Sequence, residues 1–168
     1  IHFGEDRGQE AAGKVQGLSL PGASLHLLGH LQGNKVKKAV GLFDCVQSAD
    51  SAALMAELGR RAVEAGRVID LLLELRTGEA SKSGFPDADS LLYALESAAG
   101  CPGVRLRGLM TMAPFVEDAS TIRAAFRACR ACHERARGLL GRDTALGGAF
   151  DTLSMGMSQD LEAAIAEG

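Results

Sequence analysis

His26-Leu27-Leu28-Gly29-His30-Leu31-Gln32-Gly33-Asn34-Lys35 passes from a short apolar run to a glycine-bearing polar segment and then into helical spacing. In parallel α/β folds, ligands bind beyond the carboxyl ends of the strands, so this change marks a strand that ends at a ligand face. Four other segments make the same change: Phe3-Gly4-Glu5-Asp6-Arg7, Thr77-Gly78-Glu79-Ala80-Ser81-Lys82-Ser83-Gly84-Phe85, Gly108-Leu109-Met110-Thr111-Met112-Ala113-Pro114 and Leu153-Ser154-Met155-Gly156-Met157-Ser158-Gln159-Asp160. Outward from these segments, short apolar runs alternate with longer amphipathic stretches, the pattern of parallel strands joined by helices. The spacing predicts strands over 1–3, 25–28, 45–47, 68–75, 104–110 and 152–155. Helices are expected near 7–17, 34–40, 51–65, 88–98, 118–139 and 159–166. Asp50 and Ser51 can accept from the free amides of the third helix, whose apolar positions Ala53, Leu54, Leu58 and Ala62 recur at helical spacing. Gly66 supplies its stop.

The 168 residues amount to one domain, with 18 basic against 21 acidic side chains and a net charge of −3. That balance, with 4% aromatics, argues against a nucleic-acid groove, which needs a basic stripe and stacking rings. The run 68–75 is interrupted by Asp70 and Glu74 and falls far short of the roughly 20 apolar residues of a membrane span. A soluble chain is expected. Cys45, Cys101, Cys129 and Cys132, with no signal peptide visible, fit reduced thiols in the cytoplasm better than a disulfide framework. No repeat or charge block divides the chain, and 141–148, rich in small residues, reads as a loop within the domain. Six β-α units do not close an eight-stranded barrel, which typically takes about 250 residues. Two architectures are open at this point: a barrel represented in part, or an open doubly wound sheet of six strands. The abrupt opening on Ile1 and the stop at Glu167-Gly168 favour a fragment.

In this order and spacing, the five strand-end segments resemble the pyridoxal phosphate homeostasis proteins, relatives of the alanine racemase barrel domain. The most specific parts are His26-x-x-Gly29-x-Leu31-Gln32-x-Asn34-Lys35 and Leu153-Ser154-Met155-Gly156-Met157-Ser158 with Asp160. The resemblance covers essentially the whole chain. It implies a (β/α)8 TIM barrel of the alanine racemase N-terminal type, here about six β-α units within one domain, 1–168. It also implies a further strand before Ile1, bearing the Schiff-base lysine, and a last strand beyond Gly168 with an arginine and a phosphate-holding turn.

Carried over by position, the resemblance implies pyridoxal 5'-phosphate as cofactor. Ser154 matches the phosphate side, where exposed amides before the helix near Gln159 suit an anion, and Gly156 is a further cofactor-binding position. Met155 and His26 match groups beside the ring, and Met110 and Thr111 match the wall after the fifth strand. Lys82 matches a lysine in the loop over the site. Two departures stand out. Asp6 replaces the usual asparagine at the ring face, and Leu75-Arg76-Thr77 lacks the asparagine expected before the fourth loop, leaving Arg76 as the nearest substitute. Gln32, Asn34 and Lys35 belong to the signature, where capping and solvating a helix would account for them.

Cys129-Arg130-Ala131-Cys132-His133 fits a haem-attachment string, but it falls within a predicted helix, and the chain shows no export signal and few aromatics to line a pocket. A zinc site would need a ligand from distant Cys45 or Cys101, so core cysteines are the better reading. Glu5, Asp6, Glu74 and Glu79 all fall near strand ends, but their spacing does not decide for a paired-acid hydrolase. No nucleophile elbow, P-loop or dinucleotide fingerprint is present. The function implied is that of a cofactor carrier or regulator with no catalytic residue, monomeric and cytoplasmic, meeting cofactor-requiring apoenzymes transiently. The rival from the enzyme class is an amino-acid racemase or decarboxylase barrel using the same cofactor.

Overall fold

The computed structural model describes residues 1–7, 11, 13, 21–79, 82–98, 101–141 and 150–168. Six strands, β1 (His2–Glu5), β2 (Ser24–Leu27), β3 (Cys45–Ala49), β4 (Ile69–Glu74), β5 (Val104–Thr111) and β6 (Thr152–Met155), match the six expected. The helices are α1 (Val36–Leu42), α2 (Ala52–Glu64), α3 (Ala88–Ala98), α4 (Ala119–Leu140) and α5 (Leu161–Glu167). Most of the helix expected over 7–17 and of the loop over 141–148 lies outside the described residues. Three boundaries move for local reasons. β3 runs on to Ala49 because Ser48 and Ala49 stay buried. A single 3-10 turn, Gly33–Lys35, precedes α1. α5 starts at Leu161 because the Asp160 carboxylate is already folded back onto the Met157 amide at 2.5 Å.

All neighbouring strands are parallel and their order is β1-β2-β3-β4-β5-β6. A doubly wound sheet reverses direction at a switch point. Here each strand is added beside its predecessor on the same side, as in a barrel. The barrel expectation therefore holds over the open doubly wound one.

Alternation along the strands sorts the side chains into two layers. Leu27, Val46, Leu71, Leu73, Leu106 and Leu109 pack with Met55, Leu58, Leu91, Leu95 and Cys129 of the helices in the main core. Each such leucine contributes roughly 1.5–3 kcal/mol by leaving water. On the other face Cys45, Leu72 and Met110 form a separate small cluster inside the curl of the sheet. The central strands β3 and β4 are buried nearly throughout, whereas β1 and β6, the edges, are not.

α2 illustrates how sequence fixes ends locally. The Ser51 hydroxyl accepts from Leu54 N at 3.3 Å, and at the other end Arg67 N donates to Ala62 O at 2.9 Å while Gly66 N donates to Val63 O at 3.0 Å. That pair of bonds is the Schellman closure.

The amino ends of the strands are stitched by charge. Arg105 Nε lies 2.6 Å from Asp70 Oδ1, Arg107 spans Asp70 at 3.9 Å and Asp151 at 3.6 Å, and Arg67 holds Asp44 at 2.9 Å. Asp44 in turn accepts from Leu25 N at 2.9 Å.

Two register shifts interrupt the ladders. Between β3 and β4, Val46 pairs with Leu71 but Ala49 with Leu73, so β3 carries one extra residue across Gln47 and Ser48. A bulge of this kind bends the strand and re-aims side chains. The second shift lies on β5 before Gly108.

Candidate functional site

Strand alternation brings His26, Gln47 and Ser154 to one another from β2, β3 and β6. Ser154 Oγ donates to Gln47 Oε1 at 2.6 Å, and Gln47 Nε2 lies 2.8 Å from His26 Nδ1. Beyond it, His26 Nε2 is 3.0 Å from His2 Nδ1 and 3.1 Å from Ser24 Oγ. The two imidazoles meet edge to face with centroids 4.9 Å apart. Donor arithmetic fixes the protons. With its oxygen receiving Ser154, Gln47 turns N–H towards His26 Nδ1, so that nitrogen accepts and a neutral His26 carries its hydrogen on Nε2. Burial, reinforced by His2, lowers the His26 pKa, in keeping with a neutral ring.

Gln47 was not among the residues singled out from the sequence. It is 8% exposed, in a strand otherwise made of small or apolar residues. A long amide inside a buried strand was the available signal, since such a group must find partners. Its bulge neighbour Ser48 donates to Gly29 O at 2.7 Å. This bond anchors the chain just beyond β2, where a side chain at Gly29 would collide with the backbone carbonyl of Asp6. Glycine there lets the ends of β1 and β2 touch. Asp6 itself is exposed at this junction.

Met110 faces inward, packed with Cys45 and Leu72. Burial pushes the Cys45 thiol up to about 12, with Asp70 adding to the rise, so it acts as an apolar group. Thr111, expected at the wall, and Met155, expected beside the ring, make contacts of other kinds. Thr111 follows inward-facing Met110 and turns to the neighbouring strand, its hydroxyl donating to Leu75 O at 2.7 Å and lying 2.8 Å from Thr77 Oγ1. Met155 follows inward-facing Ser154 and packs on the helix side, against the cluster of Ala113, Ala125, Phe126 and Ala164. The cause in both cases is strand alternation, which sends adjacent residues to opposite faces. Gly156 then turns the chain at φ 85°, and a Cβ there would sit 2.7 Å from Ala164 Cβ.

The loop after β4 closes on its own strand. Leu75 and Phe85 form an isolated parallel bridge, Phe85 N donates to Glu74 O at 2.8 Å and Arg76 N to Phe85 O at 3.0 Å. Arg76 reaches the loop backbone, Nη1 lying 3.4 Å from Lys82 O. Lys82 is exposed on this loop. Beneath it, Glu74 is 3% exposed. Its Oε1 accepts from Ser83 Oγ at 3.0 Å, and Oε2 has no partner among the described residues. Burial raises its pKa against the opposing Ser83 bond. Of the four carboxylates considered for paired-acid chemistry, only Glu74 is buried.

The C-x-x-C-H string lies in α4 with Cys129, Cys132 and His133 all buried, and His133 stacks on Phe150 at 5.2 Å. Among the described residues, no group of three or more His, Cys, Asp or Glu side chains is placed to hold a metal. Among them also, no helix is long and apolar enough to cross a membrane.

Residues 2–166 match the model of the alanine racemase N-terminal domain. The pyridoxal phosphate homeostasis protein of Aquifex aeolicus is 34% identical over 99% of this chain and 70% of its own length. That of Pseudomonas aeruginosa is 38% identical over 99% of this chain and 68% of its own length. The chain belongs to the pyridoxal phosphate homeostasis family. PipY of Synechococcus elongatus, solved with pyridoxal phosphate bound, superposes with a TM-score of 0.85 at 38% identity, over 99% of this chain and 76% of PipY. Alanine racemase of Clostridium difficile shares the fold alone, with a TM-score of 0.70 at 11% identity, over 95% of this chain and 39% of the racemase. The alanine-racemase-type barrel expected from the strand-end segments is the fold of this family.

Proposed function

We propose that this chain binds pyridoxal 5'-phosphate and serves its homeostasis as a carrier or regulator without appreciable turnover. The observation that carries this reading is the hydrogen-bonded line Ser154–Gln47–His26 on the inner face of the sheet, in a family with a relative solved with that cofactor.

The residues present fit such a group. Hydroxyl, amide and imidazole stand among apolar Met110, Cys45 and Leu72, a mixture that suits a flat ring with polar substituents. Ser154 and the turn at Gly156 hold the phosphate end, and His26 orients the ring. Met110 lines the floor. Asp6 and Lys82 stand at the rim, and Lys82 supplies positive charge towards an anion. Thr111 acts by tying β4 to β5, and Met155 by seating β6 on the helices. When bound, the cofactor supplies an aldehyde reactive towards amines and an electron-withdrawing ring. The chain's own contribution is to hold, orient and shield it. Residues 1–168 act as one cofactor-binding domain, monomeric and cytoplasmic, passing cofactor to transiently bound apoenzymes rather than to nucleic acid or membrane.

Absorbance titration of the protein with pyridoxal phosphate, paired with α-deuterium exchange of alanine, tests the reading. Saturable uptake without exchange is expected. Exchange at enzymatic rates would convert the assignment to a racemase-type enzyme, and no uptake would end it.

A further inference from the structure

We propose that Gln47 is the positioning residue that couples engagement of the phosphate by Ser154 to the location of the proton on His26. The inference rests on the cofactor reading above and adds to it a residue and a means of discrimination.

A serine hydroxyl has one proton, and Ser154 spends it on Gln47 Oε1 at 2.6 Å. In that state Ser154 offers an approaching anion only lone pairs, which repel it. Donation to a phosphate requires the proton to swing away, and Gln47 Oε1 then needs another donor. A half-turn of the amide meets that need. Nε2 then donates to Ser154 Oγ, while Oε1 faces His26 Nδ1, 2.8 Å from the present position of Nε2. His26 completes the exchange by carrying its hydrogen on Nδ1 instead of Nε2. The vacated Nε2 accepts from Ser24 Oγ, 3.1 Å away.

Both patterns satisfy Ser154, Gln47 and His26, but only the second frees the Ser154 proton. A phosphate therefore selects the second pattern, and an unphosphorylated ligand has no reason to. This is a two-state element biased by differential contact. Its surroundings favour an uninterrupted exchange, because Cys45, Leu72 and Met110 on the same face offer the amide no competing polar partner. Alternation from inward-facing Cys45 puts Gln47 on the same face, next to the bulge across 46–49. The charged and titratable groups around His26 are His2 on β1, Asp44 before β3 and Asp70 on β4. The exchange moves a proton between two ring nitrogens without changing the charge these groups meet.

The test is 15N NMR of histidine-labelled protein, which reads the protonated ring nitrogen directly. His26 is expected as the Nε2–H form in the free protein and with pyridoxal, and as the Nδ1–H form with saturating pyridoxal phosphate. In Gln47→Leu the Ser154 proton has no competing acceptor, so pyridoxal phosphate should still be taken up, but His26 should no longer respond to the phosphate. Gln47→Glu accepts from both sides and should hold His26 as Nδ1–H without ligand, which keeps the test open should Gln47→Leu not fold. Three results would overturn the inference while leaving the cofactor reading intact: bound pyridoxal phosphate with His26 still Nε2–H, free protein already Nδ1–H, or Gln47→Glu without effect on the ring. Failure of the native protein to take up pyridoxal phosphate would end the cofactor reading and the coupling with it.

Discussion

The two ends of the strands treat polarity in opposite ways. At the amino ends, Asp70, Arg105, Arg107 and Asp151 satisfy one another, and Arg67 and Asp44 bind both each other and backbone. Further along the same inner surface, Ser154, Gln47 and His26 form a line with an alternative arrangement, and Glu74 keeps an oxygen without a partner among the described residues. A saturated end contributes to holding the sheet; an unsaturated one has bonding capacity left for a ligand. Barrel folds separate stability and chemistry along the strand axis in this way.

Single substitutions should separate the two ends, starting with the largest effect. Ser154→Ala should weaken pyridoxal phosphate binding by roughly 1.5–3 kcal/mol, the worth of a hydrogen bond to a charged group, with little change in the urea midpoint. Gly156→Ala forces a side chain into the left-handed region and against Ala164, and should cost about 1–2 kcal/mol of stability in the same assay. Asp70→Ala at the opposite end should cost about 1 kcal/mol of stability, the scale of exposed ion pairs, and leave cofactor affinity within about twofold. A large loss of affinity in Asp70→Ala would erase the distinction between the ends.

Glu74→Gln gives the smallest effect, and a pH-dependent one. Burial raises the folded carboxyl above its ordinary value of 4.5, so the folded state binds that proton more tightly than the unfolded chain. The stability this confers is full below that value and is lost as pH rises through the raised one. The glutamine variant should therefore melt above the native protein at pH 8, with the advantage gone at pH 4, in paired calorimetric scans.

The fold was legible because its signals are local. Ser51 and Gly66 bracket α2, apolar runs mark every strand, and polar segments mark the strand ends. Strand order was not local information. Six parallel strands fit two architectures until pairing chose one. The site was legible in part. His26 and Ser154 lie 128 positions apart, yet both reach the same amide. Thr111 and Met155, which the resemblance placed at the wall and beside the ring, follow Met110 and Ser154 in their strands, where adjacent residues take opposite faces. Gln47 escaped because its partners, His26 and Ser154, come from strands 21 and 107 positions away, which no window of sequence displays.

The strictly sequential strand order also bears on how the chain assembles. Among the described residues each strand pairs with the one made just before it, so loop-closure entropy stays low at each of these steps. Emerging from a ribosome, such a chain can grow its sheet from one edge in the order of translation, with the most recent strand as the exposed template for the next. Ser154, on β6, meets Gln47 only late in that growth, so their hydrogen bond becomes a report that the strands between them are already in register.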